Sequence, residues 1–243
     1  MRTTYIAIIL IGTLSLTAFN CNVSTSSSSR QDDKFKKDVR TVEKFDGIAL
    51  GISADVKLTQ GSPQSITIEG NANDLEKIIT ETDGSTLKIR AKPGSWHMNK
   101  VTVYITMESV KNLHISGSGS VIAQNTISTD NLELHISGSG SLEISDLKAG
   151  SISSHISGSG KIKLSGKSAE RHEIHISGSG DVLANELLTQ NVDVHISGSG
   201  NCKINASTKL SARVSGSGDV YYSGKPLIDA SVSGSGKIKE MSL

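Results

Sequence analysis

The sequence predicts an all-β protein whose carboxy-terminal half is a solenoid of stacked coils, preceded by a less regular β-rich part. The tetrapeptide Ser-Gly-Ser-Gly starts at residues 116, 137, 157, 177, 197, 215 and 233, at offsets of 21, 20, 20, 20, 18 and 18 residues. Inside each repeat apolar and polar residues alternate, which is the period of a half-buried strand. Composition agrees, since 24 Gly against 3 Pro favours many tight turns over a disordered chain. With aromatic content at 3%, the core has to be built from Val, Ile, Leu and Ala.

From the amino terminus, residues 1–20 read as an export signal. Arg2 supplies the positive charge, and Tyr5 to Phe19 is uncharged and mostly apolar. That stretch is shorter than the roughly 20 residues of a membrane-spanning helix. Cys21 follows, and then the polar run Asn22 to Arg30. A cysteine at the end of an apolar segment with a Ser-rich tether behind it resembles a bacterial lipoprotein signal, with Cys21 lipidated after cleavage. Phe19 and Asn20 stand where that signal usually carries small residues. Residues 21–38 are then the lipidated cysteine and its tether, and Gln31–Asp38 is a charged spacer. The only other cysteine is Cys202, so no disulfide framework stabilises the fold.

The head domain is expected over 39–243, less regular at 39–112 and repetitive at 113–243. In its first part, Val56–Thr59, Ser65–Glu69, Thr86–Arg90 and Val101–Thr106 alternate as strands. Asn73–Thr80 is expected to form a short helix or turn with Asn73 as its N-cap, and Asp83-Gly84-Ser85 a turn. In the second part the residues before the turn, Ile115, Ile136, Ile156, Ile176, Ile196, Val214 and Val232, should all point inward. So should Val121, Leu142, Ile162, Val182, Cys202, Val220 and Ile238 two residues after it, then Ala123, Ile144, Leu164, Ala184, Ile204 and Tyr222. Cys202 in such a ladder is a small buried hydrophobe. The turn glycines are Gly117, Gly119, Gly138, Gly140, Gly158, Gly160, Gly178, Gly180, Gly198, Gly200, Gly216, Gly218, Gly234 and Gly236. They are expected to supply positive φ, with Ser small enough to stack on itself. Seven coils at the inter-strand distance make a rod of roughly 30 Å.

The segments Val42-Glu43-Lys44-Phe45-Asp46-Gly47-Ile48, Val56 to Gly61 and Asp83 to Ile89, followed by serial His-Ile-Ser-Gly-Ser-Gly units, resemble the putative autotransporter adhesin head GIN domain family. The resemblance covers roughly residues 40–240. It implies a single-stranded, right-handed parallel β-helix of pectin-lyase-like architecture, on secreted proteins or lipoproteins of Gram-negative bacteria. It implies adhesion as the role and carries no catalytic residues to transfer.

The residues themselves offer little chemistry. His114, His135, His155, His175 and His195 each precede an inward Ile, so they point outward as one row, continued by Arg213 and Ser231. The row is expected to be decoration without bound metal. The weaker alternative is a Zn²⁺ or Cu²⁺ site, and no carboxylate or thiolate is expected to recur beside it. The residues after each turn (Ser120, Ser141, Lys161, Asp181, Asn201, Asp219, Lys237) mix both signs, which excludes a calcium ladder. A polysaccharide lyase or hydrolase needs clustered acids, whereas Asp146, Glu170, Glu173, Asp181, Glu186 and Asp193 are scattered. Asp181 and Asp219 share a position but lie two coils apart, beyond the usual window for paired carboxylates. With 25 basic and 24 acidic residues and no basic stripe, nucleic acid is not an expected partner.

The expected protein is a non-enzymatic, cofactor-free envelope lipoprotein of adhesin type, at the outer membrane or cell surface. A periplasmic or secreted location is the alternative. Its expected partners are the membrane, through the lipid, and a glycan or another envelope protein; a homo-oligomer is compatible with this. Tyr221, Tyr222 and Trp96 are the few aromatics available for a glycan. The alternative functions are a structural or stress-related envelope protein and a carbohydrate-active enzyme.

Overall fold

A computed structural model of the chain describes residues 35–94 and 99–241. The export signal, Cys21, the Ser-rich tether and Trp96 lie outside the described residues.

The strands in chain order are β1 (Phe35–Arg40), β2 (Gly47–Leu50), β3 (Asp55–Gln60), β4 (Ser65–Asn71), β5 (Ile78–Asp83), β6 (Thr86–Ala91), β7 (Thr102–Met107), β8 (Asn112–Ile115) and β9 (Ser120–Ala123). They continue as β10 (Ile127–Ile136), β11 (Ser141–Gly158), β12 (Lys161–Gly178), β13 (Asp181–Gly198), β14 (Asn201–Gly216), β15 (Asp219–Ser223), β16 (Leu227–Gly234) and β17 (Lys237–Glu240). The one helix among the described residues is α1, Ala72–Leu75. Its N-cap position is Asn71, without a side-chain bond, so Asn73 lies inside the helix and is not its cap. Ile78–Thr80, expected in the same helix or turn, opens β5 instead. The spacer at Gln31–Asp38 joins the sheet at Phe35, where β1 pairs antiparallel with β4.

From β8 to β17 every pairing is parallel, and it is in register through the segments before each turn, as Ile136↔Ile156, Ile156↔Ile176, Ile176↔Ile196 and Ile196↔Val214 show. Identical residues therefore stack coil upon coil and bury a continuous apolar ladder. Ile136, Ile156, Ile176, Ile196 and Val214 are at most 3% exposed. The expected inward residues are buried with four exceptions. Val232 is 42% exposed, and Ala123, Tyr222 and Ile238 are half-buried. For the terminal coil the cause is plain: no described coil stacks beyond β16 and β17. The offset of 18 residues between the last repeats is absorbed at a corner. The pairing slips between Ala184/Leu188 and again between Thr189/Asn191, after which Ile196 meets Val214 directly.

The first part of the chain is a coil system too, in a different spatial order. β2 pairs parallel with β8 and β3 with β9, so Ile48 and Leu50 continue the ladder of Leu113 and Ile115. β6 and β7 then pair with the far sides of β2 and β3. In space, β6 and β7 lie outside 47–60, which lie against 112–123. Antiparallel strands close this end, with β5 on β6, and β4 on β7 with β1 beyond it.

Candidate functional site

Each His-Ile-Ser segment turns its imidazole and its hydroxyl outward on either side of the inward Ile. Because the coils are in register, the imidazoles of His114, His135, His155, His175 and His195 stack. Their centroids are 5.9, 4.7, 4.9 and 5.0 Å apart, with interplanar angles of 22°, 5°, 3° and 5°. Arg213 and Ser231 follow in the same column. Ser137, Ser157, Ser177, Ser197, Ser215 and Ser233 form a second column two residues further on. The two columns line one groove of about 600 Å³ along the coil axis.

The absence of acids beside this row was the wrong expectation. Residues two positions before a strand residue share its face, and three of the five such neighbours are carboxylates. Glu133 Oε1 lies 2.8 Å from His135 Nε2, Glu173 Oε1 2.9 Å from His175 Nε2, and Asp193 Oδ1 3.1 Å from His195 Nε2. Ser153 Oγ takes the same place beside His155 Nε2 at 2.8 Å. The scattered acids Glu173 and Asp193 are in fact direct cross-strand partners. The period-two pattern already held this signal, at positions i and i+2.

Burial and neighbouring rings disfavour charge on two members of the row. Burial, and then the neighbouring His135 and His175, hold the His155 imidazole below the usual histidine range. Burial and His135 do the same for His114. The hydrogen bonds from His135 and His175 hold the Glu133 and Glu173 carboxyls below the usual carboxylate range. Stacked rings point their lone pairs side by side and not at a common centre. Among the described residues no group of three or more His, Cys, Asp or Glu side chains converges as a metal-ligand set.

The acids after the turns are occupied structurally. Asn201 Nδ2 donates to Asp181 Oδ1 at 3.1 Å, and the Asp219 backbone N–H to Asn201 Oδ1 at 3.3 Å. Asp219 in turn accepts the Lys237 backbone N–H at 2.8 Å and the Tyr221 hydroxyl at 3.0 Å. These side chains stitch one coil to the next, so Asp181 and Asp219 do not stand as a free acid–base pair. Cys202 is fully buried, and burial, then Asp181, pushes its thiol far up from the ordinary range.

One polar pair went unread. His172 occupies the inner ladder between Ile152 and Val192, fully buried, with Nε2 hydrogen-bonded to Ser154 Oγ at 2.8 Å. Its Nδ1 has no partner. Ile174 and Ile176 point inward, so the same parity already placed residue 172 inside.

The comparisons with known proteins follow the geometry. The profile of the family described as "putative auto-transporter adhesin, head GIN domain" matches residues 44–226. A crystal structure described as a putative adhesin from Bacteroides fragilis is 26% identical, covers 86% of this chain and 97% of its own, and superposes with a TM-score of 0.80. Two structures from Parabacteroides share the fold. One, described as a putative adhesin from Parabacteroides merdae, has 22% identity, a TM-score of 0.70, and covers 87% of this chain and 98% of its own. The other, described as a putative lipid binding protein from Parabacteroides distasonis, has 23% identity and a TM-score of 0.69 over the same shares. No curated protein matches the chain. A match over most of the sequence, on the Phe45-Asp46-Gly47-Ile48 start and the serial repeats, makes this chain a member of the auto-transporter adhesin head GIN domain family.

Proposed function

We propose that the protein is an adhesin-type binding protein of the cell envelope, exported, anchored through a lipid on Cys21, and without catalysis of its own. The observation that carries this reading is the groove between the His and Ser columns. It repeats the same outward groups on successive coils at one spacing, which suits a repetitive partner and gives no single centre at which to concentrate chemistry. The adhesin description of the family and of its relatives supports it. The anchor rests on the apolar segment that ends at Cys21 and on the Ser-rich tether after it.

Display of the full chain on a non-adherent bacterium tests the reading. Attachment to epithelial or mucin-coated surfaces should rise. Filling the groove with Ser157→Trp and Ser177→Trp should reduce attachment about tenfold, a loss of ~1.4 kcal/mol of binding. Attachment unchanged by both substitutions would remove the groove from the function. In the same cells Cys21→Ser should move the protein from the detergent phase to the aqueous phase or leave an unprocessed precursor. A variant that fractionates like the wild type would refute the anchor.

A further inference from the structure

We propose that the groove takes a neutral, flat, β-1,4-linked glycan laid along the coil axis; this rests on the adhesin reading and names its ligand class. The first argument is the orientation of the imidazoles. In His135 and His175 the Nε2 faces a carboxylate two residues back, and a carboxylate only accepts, so Nε2 carries a proton and Nδ1 is the acceptor of the neutral ring. Covalent geometry then turns the opposite edge of the ring, carrying the Nδ1 lone pair, toward the serine column across the groove. Among the described residues neither these Nδ1 atoms nor the hydroxyls of Ser157, Ser177 and Ser197 have a protein partner. Two facing rows of unsatisfied groups thus line one channel, acceptors on one wall and hydroxyls on the other. A ligand that fits both rows brings hydroxyl donors to one edge and mixed donors and acceptors to the other. A flat sugar chain does so, because each unit carries hydroxyls on both of its edges.

The second argument is spacing. The imidazoles of His135 to His195 repeat every 4.7 to 5.0 Å. A flat β-1,4-linked chain advances per sugar by about the inter-strand distance of roughly 4.8 Å and turns each sugar over relative to the last, so each coil meets one unit and the pattern repeats every two coils. An extended peptide repeats its pattern every two residues, roughly 6.6 Å, and falls out of step with the coils.

The third argument is charge. Glu133, Glu173 and Asp193 stand directly behind the imidazoles, with side chains 52%, 42% and 33% exposed. They repel a polyanion laid over the row, and only Arg171 beside Glu173 and Arg213 near one end oppose them. A neutral chain avoids the repulsion.

Isothermal titration calorimetry on the full chain in detergent tests the proposal, with cellohexaose and chitohexaose as probes. Cellobiose tests length, maltohexaose tests linkage and a polygalacturonate oligomer tests charge. A β-linked hexasaccharide should bind at least about tenfold more tightly than the disaccharide, because it spans several coils. It should also outbind maltohexaose and the acidic oligomer. The combination Ser157→Val, Ser177→Val, Ser197→Val should reduce affinity about tenfold with the melting temperature retained. His155→Phe with His175→Phe keeps the stack and removes Nδ1, and it should do the same. Absence of binding by either β-linked hexasaccharide would overturn the proposal, as would equal binding of maltohexaose or wild-type affinity in the His→Phe variant. If no glycan binds while cells displaying the protein still attach, and the Ser→Val variant abolishes that attachment, the glycan assignment fails and the adhesin reading stands.

Discussion

Two residues show how far a single side chain can control this fold. His172 is an ionisable group in an aliphatic ladder, and burial pushes its imidazole down from 6.5 to about 3. A histidine with a lowered folded pKa lets the unfolded chain bind more protons, so its contribution to stability is complete above the unfolded value. That contribution is lost as pH falls from near 6.5 toward 3. Between pH 7.5 and pH 5 the loss is about 2 kcal/mol. His172→Val, which matches Val192 in the next coil, should remove that part of the pH slope. Urea denaturation of both proteins at the two pH values measures the difference. Gly158 exerts its control through the backbone. It holds φ at 138°, and an added Cβ would sit 2.6 Å from Gly138 O. Gly160 holds no positive φ, so it is glycine for space alone, since a Cβ would lie 2.9 Å from Gly140 O and closer still to Ile136. The expectation of positive φ at every turn glycine therefore holds only at Gly158, Gly178, Gly198, Gly216 and Gly234, and fails at Gly117, Gly119, Gly138 and Gly140 and at the second glycine of each later turn. Gly158→Val should cost several kcal/mol, combining backbone strain with overpacking. Gly150→Val meets Asp130 O at 2.8 Å without the positive φ and should cost less. Thermal melts of the two variants give the order.

At the scale of the element, the stacked strands divide their work between an inner and an outer face. Truncating one inner rung, Ile176→Ala, should cost about 2–5 kcal/mol, because the rungs above and below cannot close the cavity. The outer histidine row is only partly buried, so His135→Gln, His155→Gln and His175→Gln together should leave circular dichroism unchanged and the melting temperature within a few degrees of wild type. A large loss of stability in that triple variant would make the row a structural requirement and not a presented surface. The terminal strand β16 is exposed along its whole length, with Leu227 at 79% and Ile228 at 48%. Its amides should exchange with deuterium well before those of β13, which is covered on both sides.

For the whole molecule, the two ends of the solenoid are treated differently. Antiparallel β1, β4 and β5 cover the early coils, which protects the hydrogen-bonding edge of the stack at that end. Removing residues 1–107 would bare the edges of β8 and β9 and the ladder at Leu113, Ile115 and Val121, each at most 2% exposed in the intact fold. That truncated chain should aggregate in light scattering at concentrations where the full chain does not.

The amino-acid order by itself determined the solenoid, its register and its inner and outer faces, because a strand has period two and a coil has a fixed length. A repeat of near-constant offset leaves almost no other way to bury Ile136, Ile156 and Ile176 together. It also contained the carboxylates beside the histidines and the inward place of His172, both legible from parity two residues away. Only the tertiary structure decided what depends on contact between distant segments. The insertion of residues 47–60 between the β6–β7 pair and 112–123 follows from long-range pairing that carries no local signal. Likewise the His and Ser columns become the two walls of a groove only once parallel coils stack them at a common spacing, since one repeat alone presents a single imidazole and a single hydroxyl to water.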